Sequence, residues 1–147
     1  MTLMSVKKGC LAAMQKEFPT DKYRYYSTDV AENFIRPCFF TQLKVISAEP
    51  MNFISRLMIG SFYINFFQKE TDEAEILKVA DKLMDCFEVS VPCGDRYAKT
   101  MDFSWDFVGT GQNALEVVVD LRWTQKNKKN EEYPLIKEVE VSKEMEE

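Results

Sequence analysis

Apolar residues recur at helical spacing from Leu3 to Phe18. Val6, Cys10, Leu11, Met14 and Phe18 share one stripe, while Lys7, Lys8, Gln15 and Lys16 fall outside it. That period predicts an amphipathic helix. Pro19 ends it, because the residue before a proline is pushed away from α geometry. A short aromatic run, Tyr23 to Ser27, predicts a first strand, and Thr28 to Ile35 reads as a turn or a short helix. Pro37 then precedes Cys38 to Ile46, rich in aromatic and β-branched residues and therefore a strand. Ser47 to Asn52, which holds Pro50, reads as a connection. Ser55 to Phe67 carries apolar residues on both parities, predicting a strand covered on both faces. Gly60 in its middle hints at a bulge or a close backbone approach.

The clearest helix follows. Asp72 and Glu75 have the spacing of a capping box, and Ile76, Val79, Ala80, Leu83, Cys86 and Phe87 recur with a helical period. Two runs of clean alternation come next. Met101, Phe103, Trp105 and Phe107 alternate with Thr100, Asp102, Ser104 and Asp106. Leu115, Val117, Val119, Leu121 and Trp123 alternate with Glu116, Val118, Asp120 and Arg122. Gly109 to Asn113 between them reads as a hairpin loop. The element order predicts an α+β fold: one small antiparallel or mixed β-sheet with two main helices packed on one face.

Composition narrows the picture. At 147 residues, with 46% hydrophobic and 29% charged side chains, the chain fits a single domain, placed at residues 1–125. Residues 126–147 form a charged tail in which Glu138 to Glu147 holds five Glu and one Lys, with Lys126, Lys128 and Lys129 clustered upstream. The net charge of -5 argues against a general phosphate-binding surface, and no sequence-specific nucleic-acid contact is expected. No apolar run approaches the roughly twenty residues of a membrane span, and Met1 to Met14 lacks the apolar centre of a signal peptide.

Candidate chemistry is sparse. The sequence has no His, and none of its four Cys forms a C-x-x-C pair, so metal and thiol-redox sites lack support and no cofactor is expected. Cys10, Cys38 and Cys86 read as small buried hydrophobes in a reducing compartment, whereas Cys93, between Pro92 and Gly94, reads as a more exposed turn residue. The commonest general base is missing, and no glycine-rich phosphate loop occurs. Asp102 and Asp106 share one strand face and Glu116 and Asp120 another. They read as an ordinary polar face, with Arg122 able to oppose one of these acids across the hairpin. The surplus of aromatics favours core and subunit-interface packing over base stacking, because few Lys or Arg are interleaved with them.

Several motifs taken together resemble a known family. Tyr23-x-Tyr25, Asp29-Val30, the segment Phe34 to Phe40 (FIRPCFF), and Arg56 leading into Phe62 to Lys69 (FYINFFQK) are followed by an acid-capped helix. Asp102-Phe103 and Val119-Asp120-Leu121 come later. This order is similar to the small tail terminator proteins of Gram-positive phages and prophages, over roughly Leu3 to Trp123. The chain departs from the pattern at Phe67-Gln68, where a proline would be common, and in its acidic tail.

The resemblance implies an α/β sandwich of small sheet and flanking helices, in a non-enzymatic structural subunit of a hexameric ring. Such a ring caps the tail tube, stops its polymerisation and presents a surface for head joining. Its partners would be copies of itself, the tail tube protein and a head-completion protein, in the virion at the head-proximal end of the tail after assembly in the host cytoplasm. Head-to-tail packing would then use the loop Ala48 to Ser55, with Met51 and Phe53 as apolar anchors, and the face carrying Arg56. Arg36 and Arg56 would pair with acids of a neighbour or within the subunit. A head–tail connector or tail-completion subunit, and a small cytoplasmic adaptor domain, are the competing expectations.

Overall fold

A computed structural model describes residues 1–26, 34–108 and 114–126. The elements run α1 (Leu3–Glu17), β1 (Arg24–Tyr26), β2 (Cys38–Pro50), β3 (Ser55–Phe67), α2 (Glu73–Phe87), β4 (Ser90–Cys93), β5 (Arg96–Val108) and β6 (Ala114–Lys126). The described strands form one six-stranded sheet in the order β1-β2-β3-β6-β5-β4. β1 lies parallel to β2, and every other pairing is antiparallel, so the sheet is mixed. The α+β expectation is met.

The core lies between the helices and one face of this sheet. α1 contributes Val6, Cys10, Ala13, Met14 and Phe18, and α2 contributes Ile76, Val79, Leu83 and Phe87. The strands add Phe39, Met58, Phe62, Ile64, Phe66, Leu115, Val117, Val119, Leu121 and Trp123. Those β6 residues have one parity, so the strand's alternation reports its buried face directly. Phe62↔Val119 and Phe66↔Leu115 are cross-strand neighbours on that face.

Local chemistry explains the helix starts. Thr2 and Ser5 form a reciprocal capping box at α1, which the sequence reading passed over. Asp72 caps α2 by accepting from Ala74 N, but the expected box does not close: the Glu75 carboxylate takes the Gln68 Nε2 amide instead.

Four further expectations are corrected. β2 runs through Ser47–Pro50 instead of ending at Ile46, because β3 pairs with it as far as Pro50↔Arg56. β4 was not anticipated, and Cys93 is its buried last residue and not part of an exposed turn; Gly94, with φ 77°, makes the turn. Met101 is half exposed and not on the core face, since a bulge between Thr100 and Asp102 takes it out of the alternation. Lys126 closes β6 opposite Ser55 and does not open a tail. The acidic segment 127–147, the Asp29-Val30 motif and the Gly109 to Asn113 loop lie outside the described residues.

Gly60 shows both features its position suggested. The register slips between Val45 and Ser47 directly beside it, and a Cβ there would lie 2.8 Å from Trp123 Cη2. Gly9 is tighter still, because a Cβ would meet the Pro92 carbonyl oxygen at 2.5 Å and Cys93 Sγ at 2.8 Å, where α1 crosses β4. Helix propensity alone favours alanine over glycine by about 1 kcal/mol. Forcing a methyl against rigid backbone costs about 1–3 kcal/mol, so the clash wins. Gly9→Ala is expected to lower the urea midpoint, and a raised midpoint would refute this packing of α1 on β4.

Candidate functional site

The β2–β3 hairpin carries an apolar tip. Asn52 builds the turn: its Oδ1 accepts from Ile54 N at 2.8 Å and Ser55 N at 2.9 Å, while Met51 N donates to Ser55 O. This Asx-type geometry spends the polar groups on the turn and leaves the neighbouring side chains outward. Phe53 is 66% exposed, and Met51 and Ile54 are each 56% exposed. Ile46 sits in the β2 bulge below them at 59%. Large apolar side chains held together in water are the feature that marks an interaction surface.

The structure therefore gathers Met51, Phe53 and Arg56 at one end of the hairpin, with exposed Arg56 paired in register to Pro50 and Gln125. Sequence reasoning missed Ile46 and Ile54. Ile54 adjoins Phe53 in the same polar connection and was open to the same inference. Ile46 was hidden because regular alternation assigns it to a strand face; in the structure it falls in the bulge, within the exposed stretch Lys44–Pro50.

Arg36 is elsewhere. It precedes the start of β2, whose 13 residues span roughly 40 Å at about 3.3 Å per residue. Its guanidinium lies over the Phe34 ring at 5.1 Å and the Phe67 ring at 5.4 Å, and its Nη1 donates to Gln68 O at 3.4 Å. Phe34, Phe40 and Phe67 stand 5.1 to 5.5 Å apart, and Tyr26 packs on Phe40 at 5.3 Å. Cation–π contact and ring packing thus engage Arg36 within its own subunit, and it forms a second aromatic cluster on the sheet face opposite the helices.

That opposite face also carries the acids. Register sets Asp102 against Asp120 and Asp106 against Glu116, while Arg122 opposes Lys99. The expected Arg122–acid pairing across the hairpin is not found, because the closing pair Val108↔Ala114 fixes which residues meet. Asp120 accepts from Ser61 Oγ at 2.7 Å, tying β6 to β3, while Asp102 accepts only from the amide of its neighbour Phe103.

Nothing nearby adds chemistry. Among the described residues no group of three or more His, Cys, Asp or Glu is placed to hold a metal ion. Burial pushes the Cys38 and Cys86 thiols up to about 11 and raises those of Cys10 and Cys93, which leaves them poor nucleophiles. A polar cavity of about 120 Å³ is lined by Met1, Asp95, Arg96, Thr124 and Lys126. It contains neither a thiol nor an activated hydroxyl.

A family model described as phage tail terminator protein matches residues 5–133. No curated protein matches the chain. Among solved structures 21 chains match; one, which carries no functional description, aligns at 12% identity and a TM-score of 0.45, over 82% of this chain and 95% of that one.

Proposed function

Because the chain belongs to the phage tail terminator family, a structural component of the virion tail, we propose that it assembles with copies of itself into a ring, hexameric in its closed form. This ring caps the tail tube, stops tube growth and offers a surface for head joining. Its partners are neighbouring copies, the tube protein and a head-completion protein. The observation that carries this reading is the hairpin tip, where Met51, Phe53 and Ile54 are exposed, with Ile46 also exposed in the β2 bulge farther down the strand. A chain working alone gains nothing from such a tip, whereas a ring subunit can seat it against its neighbour or the tube.

Mass in solution by light scattering, with electron microscopy of the particles and of tubes incubated with the protein, tests the proposal. Six-membered rings, free or at tube ends, are the expected result. A stable dimer that takes up a small-molecule ligand would remove it. Met51→Asp/Phe53→Asp is expected to abolish assembly and leave the thermal midpoint nearly unchanged, since exposed substitutions usually move stability by about 0.5 kcal/mol or less. Rings forming normally from that variant would show that the tip is not the assembly surface.

A further inference from the structure

Among the described residues, two long strands of the sheet are paired on one side only for most of their length. β1 covers only Cys38–Phe40 of β2, and β4 covers only Arg96–Lys99 of β5. Thr100 adds one backbone bond to Val89. Among the described residues, no strand pairs with the outer edge of Thr41–Pro50 or with that of Met101–Val108. Such edges present rows of amide donors and carbonyl acceptors to any strand that fits. The two lie on opposite sides of the sheet.

Their side chains are complementary. Before its bulge, the β2 edge places exposed Lys44 on the helix-free face and Leu43 and Val45 on the helix side. After its bulge, the β5 edge places exposed Asp102, Ser104 and Asp106 on the helix-free face and half-buried Phe103, Trp105 and Phe107 on the helix side. Phe103 and Trp105 are stacked at 5.9 Å, a flat apolar surface beside the edge.

We propose that the β5 edge of one copy pairs with the β2 edge of the next, continuing the sheet from subunit to subunit. Lys44 then faces Asp102 and Asp106, and Leu43 and Val45 lie beside Phe103 and Trp105. Like pairings are disfavoured. Two β2 edges set Lys44 against Lys44, and two β5 edges add carboxylates to a face where Asp102 already opposes Asp120 and Asp106 opposes Glu116. A neighbour's ammonium offsets that crowding, although Lys44 must leave the Tyr63 ring over which its Nζ stands at 5.0 Å. The bulges limit the contact to Thr41–Val45 and Asp102–Val108, which sets the register. Because unlike edges meet, each added copy presents a new free edge, and growth stops only on closure. The pairing rests on the ring reading for that closure alone.

Thiol cross-linking of the full chain tests it, in a Cys86→Ser background so that only buried native thiols remain. Lys44→Cys copies are mixed with Ser104→Cys copies and treated with a short bismaleimide. The expected product is the mixed dimer, with neither variant cross-linking to itself. Dimers of either variant alone would overturn the head-to-tail edge pairing. Assembled particles that give no mixed product would overturn the edge pairing and leave the ring standing. A chain that stays monomeric throughout, with tubes present, and gives no product overturns both. In a second measurement, Lys44→Glu is expected to weaken association about tenfold, and Asp102→Lys/Asp106→Lys in the same chain to restore it. Absence of that rescue also counts against the pairing.

Discussion

Phe39→Ala is expected to lower the unfolding free energy by about 3–5 kcal/mol, the range for truncating a buried phenylalanine. The ring is fully buried. Its centroid lies 5.0 Å from Phe18, 5.1 Å from Phe66, 5.4 Å from Tyr25 and 5.5 Å from Tyr23. These rings come from the C-cap of α1, from β3, and from β1 and the turn before it. One truncation therefore removes aromatic contacts from four separate parts of the chain, and the cavity cannot be refilled without moving a helix. A second anchor fails with it, because Tyr25 stacks on Phe39 while its hydroxyl donates to the Phe18 carbonyl at 2.6 Å. Against a total stability of about 5–15 kcal/mol for a typical domain, this variant should be close to unfolding. Urea denaturation checks it: the midpoint should fall steeply, and Phe39→Leu should recover part of the loss. A loss below about 1.5 kcal/mol, the upper end for well-tolerated volume-conserving swaps, would mean that the cluster is not packed as described.

Gln68→Leu is expected to cost about 1–2 kcal/mol, even though it places an apolar side chain of similar size at a site of zero exposure. Gln68 Nε2 donates to Asp72 O at 2.7 Å and to Glu75 Oε1 at 3.1 Å, and its Oε1 accepts from Asp72 N at 3.1 Å. Burying leucine gains about 1.5–3 kcal/mol relative to exposure, but glutamine's methylenes already supply part of that gain. The substitution removes three hydrogen bonds, each worth about 0.5–1.5 kcal/mol net, although the Asp72 carbonyl keeps the bond from Ile76 N and water reaches the exposed Asp72. The three lost hydrogen bonds outweigh the remaining apolar gain. Slower unfolding or a raised midpoint in the leucine variant would contradict this, and faster amide exchange at the start of α2 would support it. Gln68 thus joins the end of β3 to the start of α2 through its side-chain amide.

Much of the fold was legible because burial imposes a period. In β6, Leu115, Val117, Val119, Leu121 and Trp123 are all buried, as two-residue alternation requires. In α2, the buried Ile76, Val79, Leu83 and Phe87 follow the helical stripe. β4 was not legible, since four residues including Pro92 are too short to show a period. The candidate surface was half legible. Met51 and Phe53 stood out as apolar residues in a polar connection, and both are exposed at one tip. Arg36 reads as pairing with an acid of a neighbour or of its own subunit; in the structure its guanidinium lies on Phe34 and Phe67, and Phe67 ends β3 directly opposite Cys38. No local pattern reveals a ring thirty residues away.

The sequence by itself determined the two helices, the long strands, the buried parity of β6 and the poverty of catalytic groups, because each depends on residue type and near-neighbour spacing. Only the tertiary structure decided that Lys99 and not an acid opposes Arg122, that Ile46 and Met101 fall in bulges, and that Arg36 belongs to a different end from Arg56. Among the described residues it also left Thr41–Pro50 of β2 and Met101–Val108 of β5 without a strand on their outer edges. These are matters of register and strand order. They follow from how distant segments meet, and shifting a strand by one residue changes every pairing without changing any local pattern.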